Sequence, residues 1–135
     1  MLMTAQAPPQ AGQGNTTRVV MVVEDDEAIA RLIQAVLADI DGANVEMCRT
    51  GHEALARAAD VQPDLVLLDL GLPGLYGTSV ALALRQTNRH LPIIVISALP
   101  GHTVAEDAWT IQAQAYLTKP FEPQVLADLV RQYLV

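Results

Sequence analysis

Five short apolar stretches, each followed by a segment with helical character, constrain this chain more than anything else in it. Val19–Val23 (VVMVV) reads as a strand, as do Val45–Cys48, Leu65–Leu68 running into Asp69, Ile93–Ile96 and Ala115–Thr118. After the first, Ile29, Leu32, Ile33, Val36 and Leu37 fall at i, i+3, i+4, i+7 and i+8, which predicts a helix over about 28–39. Thr50-Gly51-His52-Glu53 has the form of a capping box and opens a second helix carrying Ala54, Leu55 and Ala58. A Gly/Pro-rich loop over 71–77 leads into a third helix over about 78–86, and a fourth is expected over about 103–112. Pro123 starts a fifth, with Leu126, Leu129, Val130 and Tyr133 on one face. Strand and helix in strict alternation imply a parallel sheet with helices on both faces.

Strand composition refines this to a fold class. Strands one, three and four are almost continuously apolar, as buried central strands must be, whereas strands two and five are mixed and belong at the edges. The expectation is an α/β chain with a single (βα)5 doubly wound parallel sheet in the flavodoxin-like order 2-1-3-4-5, although composition does not fix the internal order. At 135 residues there is room for one such domain, taken as 18–135. Residues 1–17 are uncharged, rich in Ala, Gln, Pro and Gly, and without an apolar core of the secretory kind. They read as a disordered tail or a linker remnant.

Composition removes several function classes. No apolar run approaches the roughly 20 residues of a membrane span. The single cysteine, Cys48, excludes an internal disulfide and suits a reducing, cytoplasmic setting, where it reads as a small buried hydrophobe. A net charge of −7 argues against non-specific binding to nucleic acid. No glycine-rich phosphate loop of the nucleotide or dinucleotide type is present.

In sheets of this type ligands bind beyond the carboxyl ends of the strands. Glu24-Asp25-Asp26-Glu27 follow strand one, Asp69 ends strand three, Ser97 ends strand four and strand five runs into Lys119. Strand two ends in nothing chemically distinctive. Clustered carboxylates repel one another and are most easily kept ionised by a hard divalent cation, of which Mg²⁺ fits best. An aspartate beside such a metal can accept a phosphoryl group as a carboxylate nucleophile. Lys119 and the Ser97 hydroxyl would then meet the charge on the phosphoryl oxygens. Lys119 is the only lysine among eight basic residues, a compact ammonium in a chain that otherwise uses arginine. The bland alternative is a lysine that happens to precede a turn. The four acids after strand one and Asp69, set against Lys119, would account for −4 of the −7.

Four motifs in order carry a resemblance. They are Val22-Val23-Glu24-Asp25-Asp26-Glu27, Leu67-Leu68-Asp69-Leu70-Gly71-Leu72-Pro73-Gly74-Leu75-Tyr76-Gly77, Ile96-Ser97-Ala98 and Tyr116-Leu117-Thr118-Lys119-Pro120-Phe121. Over about 18–135 the chain resembles the receiver domain of two-component response regulators. The resemblance implies that Asp69 accepts a phosphoryl group from a phosphohistidine on a sensor histidine kinase or histidine phosphotransfer protein. It implies that Glu24 and Asp25, with Asp69 and the Gly71 carbonyl, hold Mg²⁺, that Asp26 caps the first helix, and that Lys119 pairs with the phosphoryl group. Lys119–Pro120 resembles a peptide bond that is cis in this family. Ser97 and Tyr116 resemble the switch pair, which on phosphorylation would remodel the face of helix four, strand five and helix five toward a downstream protein. The resemblance also allows a phosphorylation-dependent dimer, and it implies no direct contact with nucleic acid or membrane.

Three departures from the family pattern stand out. Tyr76 takes a place often held by Asp, and Gln112 replaces a common Gly at the end of the fourth helix. Gly71 and Leu99, two residues after Asp69 and Ser97, bring no side chain able to position a hydrolytic water, so slow self-dephosphorylation is expected. Trp109 on the fourth helix is either core filling or a partner contact. His52, His90 and His102 share no spacing and read as surface residues, while Tyr133 reads as core.

Two competing functions remain. An aspartate-nucleophile phosphatase wants a second acid two residues after the nucleophile, and Gly71 cannot serve. A docking module that works without phosphorylation would lack an acid or the lysine, and none is lacking. Whether the chain acts alone or as the receiver of a hybrid kinase or larger regulator is left open by the sequence.

Overall fold

The computed structural model describes residues 17–72, 76–98, 109 and 111–134. Five strands, β1 (Arg18–Val23), β2 (Ala43–Cys48), β3 (Leu65–Asp69), β4 (Ile93–Ser97) and β5 (Ala115–Thr118), form one sheet in the order β2-β1-β3-β4-β5. Every neighbouring pair is parallel, which requires each connection to cross over the sheet. The described helices are α1 (Glu27–Ala38), α2 (Gly51–Val61), α3 (Gly77–Thr87) and α4 (Pro123–Tyr133), the last being the fifth of the sequence-based expectation. The order 2-1-3-4-5 is the one expected.

The period-two pleat divides the strand residues between two cores. Val20, Val22, Leu65, Leu67, Ile94 and Ile96 pack with Ile33 and Leu37 of α1 and Leu126 and Val130 of α4. Met21, Val23, Val66, Leu68, Ile93 and Val95 face the other way, against Ala54 of α2 and Val80, Ala81 and Leu84 of α3. Each of β3 and β4 is buried along its whole length, while β5 alternates and β2 is mostly half-buried, as edge strands are. Cys48 is fully buried at the end of β2, and burial, with Glu53 adding to it, pushes its thiol up to about 11.

Most boundaries move by only one or two residues from the sequence reading. Most of the expected fourth helix, together with Pro73, Leu99 and His102, lies outside the described residues. Its end differs from expectation. Trp109 is helical, but Ile111 and Gln112 form a turn in which the Gln112 N–H bonds the Trp109 carbonyl at 3.1 Å. Gln112 has φ +57°, a left-handed conformation that terminates a helix and favours the glycine it replaces. The Arg85 guanidinium holds this turn, donating to the carbonyls of Ile111 at 3.0 Å and Gln112 at 2.7 Å.

Gly77 fixes where α3 begins. A Cβ there would lie 2.5 Å from the Leu70 Cα and 2.8 Å from the Asp69 carbonyl oxygen, both backbone atoms. Gly77→Ala is therefore expected to cost about 1–3 kcal/mol, the usual range for overpacking, read as a lower urea midpoint at unchanged slope. An alanine variant as stable as the parent would show that the backbone after β3 can retreat.

Candidate functional site

The carboxyl ends of β1, β3, β4 and β5 bring the expected residues together. Glu24, the first residue beyond β1, is buried, and so is Asp69, the last residue of β3. One oxygen each from Glu24, Asp25 and Asp69 lies within 4.8 Å of the other two. Lys119, just past β5, places Nζ 2.8 Å from Glu24 Oε1 and 3.1 Å from Asp69 Oδ2. The remaining oxygens are held by backbone. Glu24 Oε2 accepts the Asp26 N–H at 3.1 Å, and Asp69 Oδ1 accepts the Gly71 N–H at 2.9 Å. Ser97 is buried at the end of β4, and its carbonyl accepts the Lys119 N–H at 2.8 Å. The Lys119–Pro120 bond is cis.

The electrostatics follow from burial. Burial raises the Glu24 carboxyl above its ordinary range, and the hydrogen bonds from Lys119 and Asp26 offset this only in part. Burial alone would lower the Lys119 ammonium, but its contacts with Glu24 and Asp69 reverse the sign and hold it above its usual value. Three carboxylates facing one ammonium leave the pocket short of positive charge. Hard oxygen donors in that ratio fit a small divalent cation, with Glu24, Asp25 and Asp69 as the groups able to hold it.

The structure narrows the acidic cluster. Asp26 caps α1, its Oδ1 accepting the Ile29 N–H at 3.0 Å, and Glu27 pairs with Arg31 on the exposed side of the helix at 3.1 Å. The anionic pocket is thus Glu24, Asp25 and Asp69 rather than all five acids. Tyr116 on β5 is 46% exposed and Trp109 is 83% exposed, which removes Trp109 from the core. Tyr76 is exposed at the start of α3, His52 and His90 are exposed, and Tyr133 is half-buried against the α1/α4 core. A groove of about 600 Å³ between α2 and α3 lies at the opposite edge of the sheet and contains none of the pocket residues.

One residue was overlooked. The sequence shows nothing distinctive after β2, yet Arg49 stands there and donates through Nη2 to the Asp25 carbonyl at 3.3 Å. A lone arginine beyond a strand carries no signal until it is folded against Asp25, 24 positions earlier in the chain.

Residues 20–131 match the family model described as the response regulator receiver domain. The chain belongs to this family. As a receiver domain it is 38% identical over 115 residues to the uncharacterized transcriptional regulatory protein YkoG of Bacillus subtilis, covering 85% of this chain and 50% of YkoG. A crystal structure of a putative response regulator from Chloroflexus aurantiacus superposes with a TM-score of 0.82 at 30% identity, covering 88% of this receiver and 98% of that chain. The phosphorylated cyanobacterial phytochrome response regulator RcpA gives 0.79 at 27% identity, covering 88% and 95%. The receiver spans half or less of the length of the first curated relatives it matches. Among the described residues no helix is long and apolar enough to cross a membrane.

Proposed function

We propose that this receiver domain is a phosphorylation-controlled signalling switch that takes a phosphoryl group onto Asp69. The observation that carries the reading is Asp69 itself, buried, flanked by Glu24 and Asp25, and touched by the chain's only lysine at 3.1 Å. The donor is a phosphohistidine on a sensor histidine kinase or histidine phosphotransfer protein. An Asp69 carboxylate oxygen attacks phosphorus, the P–N bond breaks with its electron pair going to the imidazole, and that nitrogen takes a proton from water. Lys119 neutralises charge on the phosphoryl oxygens, and the Ser97 hydroxyl donates to one of them. Mg²⁺ held by Glu24, Asp25, Asp69 and the Gly71 carbonyl would supply further charge neutralisation.

The output follows from the same contacts. Ser97 and Lys119 are joined through the β4–β5 backbone, so a phosphoryl group that draws on both side chains pulls on neighbouring strand ends. Tyr116 pairs with Val95, two positions before Ser97 in that register, and is exposed, with room to turn inward when the Ser97 hydroxyl moves. Two packings of the face around β5 and α4 are thereby weighted differently, which presents or withdraws a surface for a downstream protein. Because the matched relatives are longer, service as the receiver of a larger regulator or hybrid kinase is the second reading. The setting is cytoplasmic and the chain is a switch, catalysing only its own phosphoryl transfer and dephosphorylation.

Incubation with a small phosphodonor and Mg²⁺, followed by intact mass, tests this directly. One phosphoryl group gained with Mg²⁺, and none without it or in Asp69→Asn, is expected. A gain that persists in Asp69→Asn would overturn the assignment. The same assay follows decay. With Gly71 offering no side chain to orient water, the phosphorylated form is expected to persist, and Gly71→Asn to shorten its life. A Cβ at 71 meets Asp69 Oδ1 at 3.5 Å, ordinary contact, so a side chain can begin there without a clash.

A further inference from the structure

The turn that carries Asp25 is held in two different ways. From within, Glu24 Oε2 takes the Asp26 N–H and Asp26 Oδ1 takes the Ile29 N–H, so both flanking residues are fixed. From across the sheet edge, Arg49 Nη2 takes the Asp25 carbonyl. Arg49 is itself anchored. Thr50 Oγ1 accepts the Glu53 N–H at 3.1 Å, as a helix cap should, but the Glu53 carboxylate returns to the Arg49 N–H at 2.8 Å instead of to Thr50. The Glu24 N–H bonds the Cys48 carbonyl at 3.0 Å, keeping β1 and β2 in register up to this point. The cap of α2 thus fixes the backbone of the residue whose guanidinium grips the β1–α1 turn.

The choice of acceptor matters. Arg49 reaches the Asp25 backbone and, among the described residues, forms an ion pair with none of the three pocket carboxylates. Its bond to a backbone carbonyl leaves the Asp25 side chain available to a cation while restricting where that side chain starts from.

We propose that Arg49 is a positioning residue for the divalent-cation site, clasping the Asp25 backbone so that its carboxylate stays beside Glu24 and Asp69. The proposal rests on the magnesium reading given above. Charge and clasp predict opposite results when Arg49 is removed. Coulomb's law alone makes loss of a nearby positive charge tighten cation binding, whereas loss of the clasp weakens it.

Isothermal titration of the unphosphorylated chain with MgCl₂ separates them. Arg49→Ala is expected to weaken Mg²⁺ binding about fivefold at unchanged metal-free melting temperature. That is less than the roughly 10- to 100-fold lost when the partner of a ligating side chain is removed, because Arg49 grips backbone. Glu53→Ala should shift affinity in the same direction, and Arg49→Lys should recover most of it. Arg31→Ala, which deletes the same charge from the exposed side of α1, should leave binding unchanged or slightly tighter. If Arg49→Ala binds Mg²⁺ as tightly as the unaltered chain, or behaves like Arg31→Ala, the clasp is overturned while the metal site stands. If the unaltered chain binds no Mg²⁺, the metal reading falls and the clasp with it.

Discussion

Lys119→Ala is expected to destabilise the metal-free fold by about 2–3 kcal/mol at pH 7 and to slow phosphorylation by about 10²- to 10³-fold. The first effect is the penalty for stranding charge. Glu24 and Asp69 are both buried and both lean on the Lys119 ammonium, so its removal leaves two carboxylates facing each other with only backbone donors. The figure sits at or below the low end for a broken buried pair because the Lys119 side chain keeps some solvent contact. Two conditions should reduce the loss. Lowering the pH lets Glu24 take up a proton, and Mg²⁺ supplies the missing positive charge. Urea unfolding at pH 7 and pH 5, with chelator and with Mg²⁺, checks both. A loss indifferent to pH and to metal would mean that Lys119 acts through packing and not through charge.

Glu24→Gln is expected to weaken Mg²⁺ binding at least tenfold while stabilising the metal-free protein at neutral pH. The first half follows from deleting one of three convergent carboxylates. The second follows from the direction of the Glu24 shift. Its folded carboxyl is held above the ordinary 4.5, burial being the largest cause, so the folded state binds the proton more tightly than the unfolded chain does. Below the ordinary value the group is protonated in both states and the native residue carries no penalty. As pH rises through the folded value the advantage of the protonated form is lost, and the native protein declines relative to the glutamine variant. The stability difference should therefore grow as pH rises from the ordinary value of 4.5 through the raised folded one. A variant less stable than the parent across that range would show that the Lys119 pair outweighs burial at this position.

These variants address residues that were legible in the sequence because strand ends are legible. A run such as Leu65–Leu68 that stops at an aspartate states both the strand and its functional end. The lone lysine, the acids after β1 and the edge character of β2 and β5 could all be read from residue type and position along the chain. Interactions that depend on folded proximity were not legible. Arg49 meets Asp25 only because β1 and β2 are neighbours in the sheet, and Arg85 meets Ile111 and Gln112 only because α3 ends beside the approach to β5. Trp109 shows the other limit. Its helical spacing suits a core position as well as a surface one, and only its 83% exposure decides between them. Asp26 caps α1 as the sequence leads one to expect, whereas Glu27, adjacent to the acids in sequence, turns away from the pocket toward Arg31.

The central claim is that Asp69 alone carries the phosphoryl group, and reductive trapping tests it most directly. An acyl phosphate on aspartate is reduced by borohydride to homoserine, which peptide mass mapping locates in the chain. After treatment with a small phosphodonor and Mg²⁺, homoserine is expected at position 69 and nowhere else. Homoserine at 25 or 26, reduction at 24, or phosphorylated protein with no reducible aspartate would contradict the account.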